Sequence, residues 1–496
     1  MAAIVVAGGG AGGMTAAMRL AALGHRVTLL EAADHLGGKL SRFERDGFVF
    51  DTGPSLFTLP AVYREAFNQT GSPLEDSVDL HALEIAFAYH WADGSRADLP
   101  GVDPGRIAAA LGASLGGSAE SDWRNLIERA GKIWQITRRP FLESPLDGAT
   151  TLLGLARDPR DIRTVAPWKS LRRLGRDYLR DPRLVTLLDR YATYTGSDPR
   201  RAPAALATVP YVEQAFGAWH LGGGVTTLAD ALARRCRELD VDIRTGVDVT
   251  RITTEQHGVT GVHTADGETI PADIVVANAD ASHLYDDLVS DRRARSPRHR
   301  LQRATPSLSG FVILVAARGR TEGVQHHNVW FPRNYDGEFD DIFGRNPRPV
   351  ADPTIYACVP DDPLMRPDAD HESWFILINA PRNGTGRGCV DWTRPDRAEQ
   401  YADHILELLA RRGVDLRSRM IWREIRTPAD LQRATRAPGG SIYGSSSNGP
   451  RAAFLRPGNI SPIPGLFLVG GSSHPGGGLP LVGLSAQIVT EAIGAP

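Results

Sequence analysis

The apolar positions of this chain gather into short runs that stop at glycine. Ala3 to Ala7 is such a run, and it leads directly into Gly8-Gly9-Gly10-Ala11-Gly12-Gly13. A helix-like segment then runs from Met14 to Ala22, a second apolar strand runs from Arg26 to Leu30, and Glu31 follows. Strand, glycine loop, helix, strand and acid in this order predict a βαβ unit that binds a dinucleotide. Gly8 allows the tight turn, Gly10 lets backbone approach a pyrophosphate, and Gly13 lets helix and strand pack closely. The pyrophosphate is expected over the helix N-terminus, where free N–H groups attract anions. Glu31 stands where a ribose would donate to it. No Arg neighbours Glu31 in sequence, which disfavours a 2′-phosphate and leaves FAD or NAD.

Further along, period-two and period-3.6 patterns alternate. Phe48 to Asp51 reads as a strand ending in the turn Thr52-Gly53-Pro54-Ser55, and Leu83 to Trp91 with Asp93-Gly94 reads as a hairpin. Helical spacing surrounds Trp123 to Ile136. An aromatic stretch, Tyr211 to His220, reads as a strand that meets Gly222-Gly223-Gly224 and a helix over Thr226 to Glu238. Short strands follow near Val241 to Ile252 and at Ile274 to Ala277. Others are expected at Phe311 to Ala316, Val329 to Phe331, Ile355 to Val359 and Trp374 to Asn379, with one helix over Ala398 to Arg411. The chain closes on an apolar strand, Leu466 to Val469, a glycine-dense loop from Gly470 to Gly478, and a helix opened by Leu479-Pro480-Leu481-Val482.

With 496 residues the chain is too long for one core. A net charge of -2 gives no reason to expect nucleic acid. Cys236, Cys358 and Cys389 are isolated, which argues against a disulfide framework or a cysteine-rich metal site. His326 and His327 are adjacent; on a strand they would face opposite sides, so no metal site is expected from them. The early first strand leaves no room for a signal peptide, and no apolar run is long enough to span a bilayer. A cytoplasmic protein is therefore expected. Between Arg138 and Arg183, eleven Lys/Arg stand against six Asp/Glu, interleaved with Phe141, Leu142, Trp168 and Leu171. Such a stretch suits either a helix covering a core or one lying on the inner face of the cell membrane.

Glu31, Gly37-Gly38-Lys39 and Asp51-Thr52-Gly53-Pro54 together resemble the amino-oxidase and carotenoid-desaturase branch of FAD flavoproteins. The segment Gly217 to Gly224 resembles the G-x-W-x-x-x-G-G element of bacterial phytoene desaturases. Leu466 to Pro480 closely resembles the C-terminal signature of bacterial carotenoid desaturases. Past Pro480 the chain departs from the commonest pattern, Gly-Val with Ser-Ala-Lys, and has Leu481-Val482-Gly483-Leu484-Ser485-Ala486-Gln487 instead. That departure leaves the particular carotenoid open.

The resemblance implies an α/β fold in which a Rossmann-like FAD-binding domain carries an inserted α+β substrate domain. FAD-domain pieces are expected at 1–75, 215–285 and 430–496, and substrate-domain pieces at 76–214 and 286–429. It implies FAD contacts at Gly8, Gly10, Gly12, Gly13, Glu31, Gly38, Lys39, Pro54, Ser55, Val249, Gly471, Gly478, Leu479, Pro480 and Val482. The implied activity is desaturation of a long apolar polyene by hydride transfer to flavin, with oxygen or a quinone as electron acceptor and peripheral membrane contact. Glu213 and His474 are the candidate bases by motif context, with a structural role open for each. Tyr191, Tyr194, Tyr211, Phe216 and Trp219 are candidates for lining an apolar tunnel. The rival readings are an amine or amino-acid oxidase, a carotenoid isomerase and a non-enzymatic prenyl-binding escort protein.

Overall fold

A computed structural model describes residues 1–146, 158–449 and 452–496. Its centre is a five-stranded parallel sheet drawn from three distant parts of the chain. In spatial order the strands are Asp242–Thr245, Arg26–Glu31, Ala3–Ala7, Ile274–Ala277 and Leu466–Leu468. Parallel strands buried on both faces read as continuous apolar runs, which is the pattern of Ala3 to Ala7 and Ile274 to Ala277. The helices Ala11–Ala22, Thr227–Glu238 and Leu479–Ile493 cover one face, and Met14, Met18, Leu20, Leu228, Leu232 and Val489 pack there with Val6 and Leu29.

The second layer is a seven-stranded mixed sheet built from the two intervening stretches. Its order is Met420–Arg426, Ser309–Arg318, His371–Ala380, Ile355–Cys358, His327–Trp330, Ile85–His90 and Arg96–Pro100. Residues 85–100 therefore join strands that lie more than two hundred residues later. The helices Pro104–Leu115, Ala119–Thr137 and Pro182–Arg190 pack beside the edge hairpin through Trp123, Leu126, Leu184 and Leu188. Helix Arg397–Arg411 covers the long central strands through Tyr401, Ile405 and Leu409.

Three expectations need correction. The first helix begins at Ala11 rather than Met14, because Gly12 and Gly13 themselves form its buried first turn. Tyr211 to Phe216 belongs to the helix Thr208–Phe216, and the strand is only Ala218–Leu221; the helix ends where Gly217 adopts a φ of 88°. The strand expected from Val329 begins at His327, directly opposite Cys358 of the neighbouring strand. In the basic stretch, Leu152, Leu153 and Leu155 lie outside the described residues. The helix Leu171–Tyr178 buries Leu171 and Leu174, and its Arg172 pairs with Asp189 and Asp336, while Trp168 is 60% exposed. Among the described residues no helix is long and apolar enough to cross a membrane.

Candidate functional site

The predicted loops converge at the carboxyl ends of the parallel strands, where ligands of open α/β sheets bind. Gly10 caps the first helix and bridges to Gly37 of the second glycine segment, and Gly37 N–H donates to the Gly9 carbonyl at 2.9 Å. Asn278, the residue after the Ile274–Ala277 strand, sits between the N- and C-terminal loops. A Cβ on Gly12 would lie 2.8 Å from Asn278 Oδ1, 3.1 Å from Val482 and 3.3 Å from Gly470, so the two ends of the chain touch here. At Gly13 a Cβ would fall 2.1 Å from the Gly8 carbonyl, which is the close helix–strand packing the motif requires. Gly478 caps the last helix, Leu479 and Pro480 form its first turn, and open space lies beside Gly478. Two helix N-termini thus open at this end of the sheet, ready to meet an anionic or electron-rich group.

Glu31 has a different local role from the one its position suggests. Its Oε2 accepts from Gly9 N–H at 2.7 Å and its Oε1 from Ala33 N–H at 2.9 Å, so it braces the glycine loop while keeping lone pairs for a ribose. Arg436 stands near Glu31 in space although not in sequence. It is committed to Asp248 by two hydrogen bonds of 2.8 Å. Val249 opens the strand Val249–Glu255 and is buried against Ile252 and Val275.

The second glycine segment and the Asp51-Thr52-Gly53-Pro54 turn are in direct contact. A Cβ on Gly53 would lie 1.7 Å from the Lys39 carbonyl. Asp51 is buried and holds the turn before the helix Thr227–Glu238, accepting from Val225 N–H (2.8 Å), Thr226 N–H (2.9 Å) and Thr226 Oγ1–H (2.6 Å). The 217–224 element is thereby fixed to the Pro54-Ser55 segment. Lys39 Nζ donates to the Ile442 carbonyl at 2.7 Å, and burial lowers its pKa against the pull of Asp280.

Sequence reasoning missed a second buried cation. Arg456 donates to the carbonyls of Tyr443, Gly471 and Ser445, and burial lowers its pKa to about 10. Among the described residues neither Lys39 nor Arg456 forms an ion pair, and Asp280 Oδ2 is buried without a partner. Two buried cations held by carbonyls, two helix N-termini and a cradle of small residues fit a dinucleotide such as FAD.

The two candidate bases lie apart and are both anchored. Glu213 is buried in the helix Thr208–Phe216; its Oε1 accepts from Tyr191 Oη–H at 2.6 Å and its Oε2 from Tyr194 Oη–H at 2.9 Å. Burial raises its pKa, while Arg190 and the two tyrosines oppose that. Arg190 lies 5.1–5.7 Å from the ring centres of Phe87, Tyr89, Tyr194 and Tyr356. Tyr356 Oη in turn bonds Ser55 Oγ at 2.8 Å, so this polar cluster reaches the Pro54-Ser55 turn. His474 is buried, with Nε2 3.1 Å from the Ser144 carbonyl and its ring edge-on to Phe141; burial lowers its pKa to about 4. Of the tunnel candidates, Tyr191 is fully buried in the core and Phe216 is 37% exposed. Trp219 is half-buried, its Nε1–H donating to the Phe216 carbonyl beneath Arg64.

Residues 11–493 match the family described as flavin containing amine oxidoreductase. A 4,4'-diapolycopene oxygenase of Methylomonas sp. is 32% identical over 99% of this chain and 97% of its own. A hydroxyneurosporene desaturase of Rubrivivax gelatinosus is 33% identical over 99% of this chain and 93% of its own. Among solved structures, an oxidoreductase from Methanosarcina mazei superposes with a TM-score of 0.66 at 17% identity, covering 99% of this chain and all of the other. That last likeness establishes the fold alone. With the glycine cradle, the buried cations and a match spanning nearly every residue, the chain belongs to the flavin containing amine oxidoreductases and is an FAD-dependent oxidoreductase.

Proposed function

We propose that the chain desaturates a long apolar polyene of the carotenoid class, removing a hydride and a proton from adjacent carbons to leave C=C. The observation that carries this reading is full-length similarity above 30% to proteins named for reactions on such polyenes, joined to a fitting FAD cradle. FAD, when bound, supplies the hydride acceptor. Gly8, Gly10, Gly12, Gly13, Glu31 and Val249 would hold its nucleotide half. Gly38, Lys39, Pro54, Ser55, Gly471, Gly478, Leu479, Pro480 and Val482 would hold its reactive half.

The chain's own residues supply fixed positive potential and shape. Lys39 and Arg456 cost no reorganisation during reaction because backbone carbonyls already hold them, and a dry site strengthens their effect. Each oxygen of Glu213 accepts a tyrosine O–H, so we assign it a positioning role within the Arg190 cluster. We assign a positioning role to His474 as well, wedged between Phe141 and the C-terminal loop. Conjugation along the substrate itself delocalises developing positive charge, which lowers the demand for a strong base. Oxygen or a quinone would then take the electrons, and exposed Trp168 in the arginine-bearing stretch would meet the inner face of the cell membrane. Of the rival readings, the escort protein would need no FAD cradle, and the one described here is complete.

Expression in cells that accumulate phytoene, neurosporene, lycopene or their hydroxylated derivatives should convert at least one of them. Pigment chromatography with mass analysis is expected to show loss of two hydrogens per step and a longer chromophore. An unchanged mass with altered geometry would assign the isomerase reading, and a gain of oxygen would assign the reaction named for the Methylomonas relative. No change with any of these pigments would remove the proposal.

A further inference from the structure

The strand that begins two residues early brings together three ligand-type side chains, contrary to the expectation that adjacent histidines diverge. His327 lies directly opposite Cys358 in an antiparallel pair, which places both side chains on one face. His326 precedes the strand at a bend, and its carbonyl accepts from Val359 N–H at 2.8 Å. Being outside the pleat, it turns to the same side, with its ring 4.6 Å from that of His327. One ligand atom from each of His326, His327 and Cys358 lies within 4.8 Å of the others.

We infer that His326, His327 and Cys358 bind one borderline-soft divalent cation of the zinc type. Two imidazoles and a thiolate are the donor set such an ion selects, over the carboxylate oxygens preferred by magnesium or calcium. His327 is poised as a ligand: its Nδ1 is 2.9 Å from Tyr356 Oη, which orients the ring from behind, as outer partners of metal-bound histidines do. Its Nε2 is buried and has no hydrogen-bond partner among the described residues. An orphaned buried nitrogen is destabilising, and an ion would offset that cost.

Tetrahedral coordination needs ligand atoms roughly 3.3–3.8 Å apart, so atoms within 4.8 Å of one another need to close by at most about 1.5 Å, within the reach of side-chain rotation. Of the three ligands, His326 borders a cleft of about 620 Å³ that His220, Asp361 and Asp362 also line, and this is the route by which water and the ion would enter. The site is independent of the polyene reading. Through Tyr356 and its bond to Ser55, the ion would stiffen the Pro54-Ser55 turn.

The test uses the purified FAD-loaded protein incubated with Co²⁺, desalted, then measured by metal analysis and X-ray absorption. The expected result is about one ion per chain with nitrogen ligands and a single sulfur near ~2.3 Å. Cys358→Ser should lose the sulfur signal, and His326→Ala, at the edge of the cleft, should lose stoichiometric retention. Tyr356→Phe should weaken binding about 10- to 100-fold. Retained flavin and unchanged circular dichroism would show that each variant folds. Substoichiometric retention by the unmodified protein would overturn the inference. So would an ion without sulfur, meaning occupancy of the carboxylate cleft, or unchanged retention in both ligand variants.

Discussion

Gly53→Ala should yield protein that purifies without bound FAD. Added at Gly53, a methyl group would stand 1.7 Å from the Lys39 carbonyl carbon–oxygen bond's oxygen end, far inside any tolerable contact. The obstacle is backbone rather than a flexible side chain, so relief requires the Gly37–Lys39 segment and the Asp51–Pro54 turn to separate. Both segments are tied elsewhere: Gly37 to Gly9, and Asp51 to Val225 and Thr226. Moving one therefore disturbs the glycine cradle and the 217–224 element together. Overpacking of this kind costs at the top of the ~1–3 kcal/mol range or beyond it. Gly386→Ala is the matched control, because nothing lies within 4 Å of its added methyl group, and it should stay within about 0.5 kcal/mol of the parent. The FAD-to-protein absorbance ratio after gel filtration reads the difference.

Arg190→Met should destabilise the second layer by ~3–5 kcal/mol, the cost of leaving a buried charge without its counter-charge. Glu213 is the group left behind; its two tyrosine hydrogen bonds remain, but the nearby cation is gone. The sign of the pH dependence follows from the raised pKa of Glu213. A carboxylic acid whose folded pKa exceeds its unfolded value of ~4.3 binds more protons when folded, so stability falls as pH climbs through that interval. Removing Arg190 raises the folded value further and extends the fall to higher pH. The penalty relative to the parent should therefore grow as pH rises, and Glu213→Gln in the same chain should recover most of it. Urea unfolding followed at several pH values measures this; a penalty independent of pH would show that Arg190 acts by packing alone.

The parallel-sheet half of the fold is legible in the sequence because its constraints are backbone constraints. Where chain passes against chain only glycine fits, and Gly13 and Gly53 record that directly. The apolar runs Ala3 to Ala7 and Ile274 to Ala277 likewise show strands covered on both faces. Other parts of the site leave no such record. Arg456 and Asn278 are ordinary residues until the sheet brings their segments to one end. The Arg190 cluster collects side chains from near 55, 89, 190, 213 and 356, and no periodicity links those positions. His326 and His327 misled for a local reason: the alternation rule holds within a strand, and the strand edge falls between them. Tyr211 to Phe216 misled because aromatic density suggested a strand, whereas packing of this segment against Trp134 and Gly131 favours a helix.

If a polyene rather than an amine delivers electrons to this protein, anaerobic mixing of the purified FAD-loaded chain with an acyclic carotenoid dispersed in liposomes, and in parallel with putrescine, separates the two. Bleaching of the oxidised flavin's visible absorbance is expected with at least one carotenoid, with product lighter by two hydrogens, and no bleaching with the amine. Bleaching by putrescine with none by any carotenoid would contradict the polyene reading.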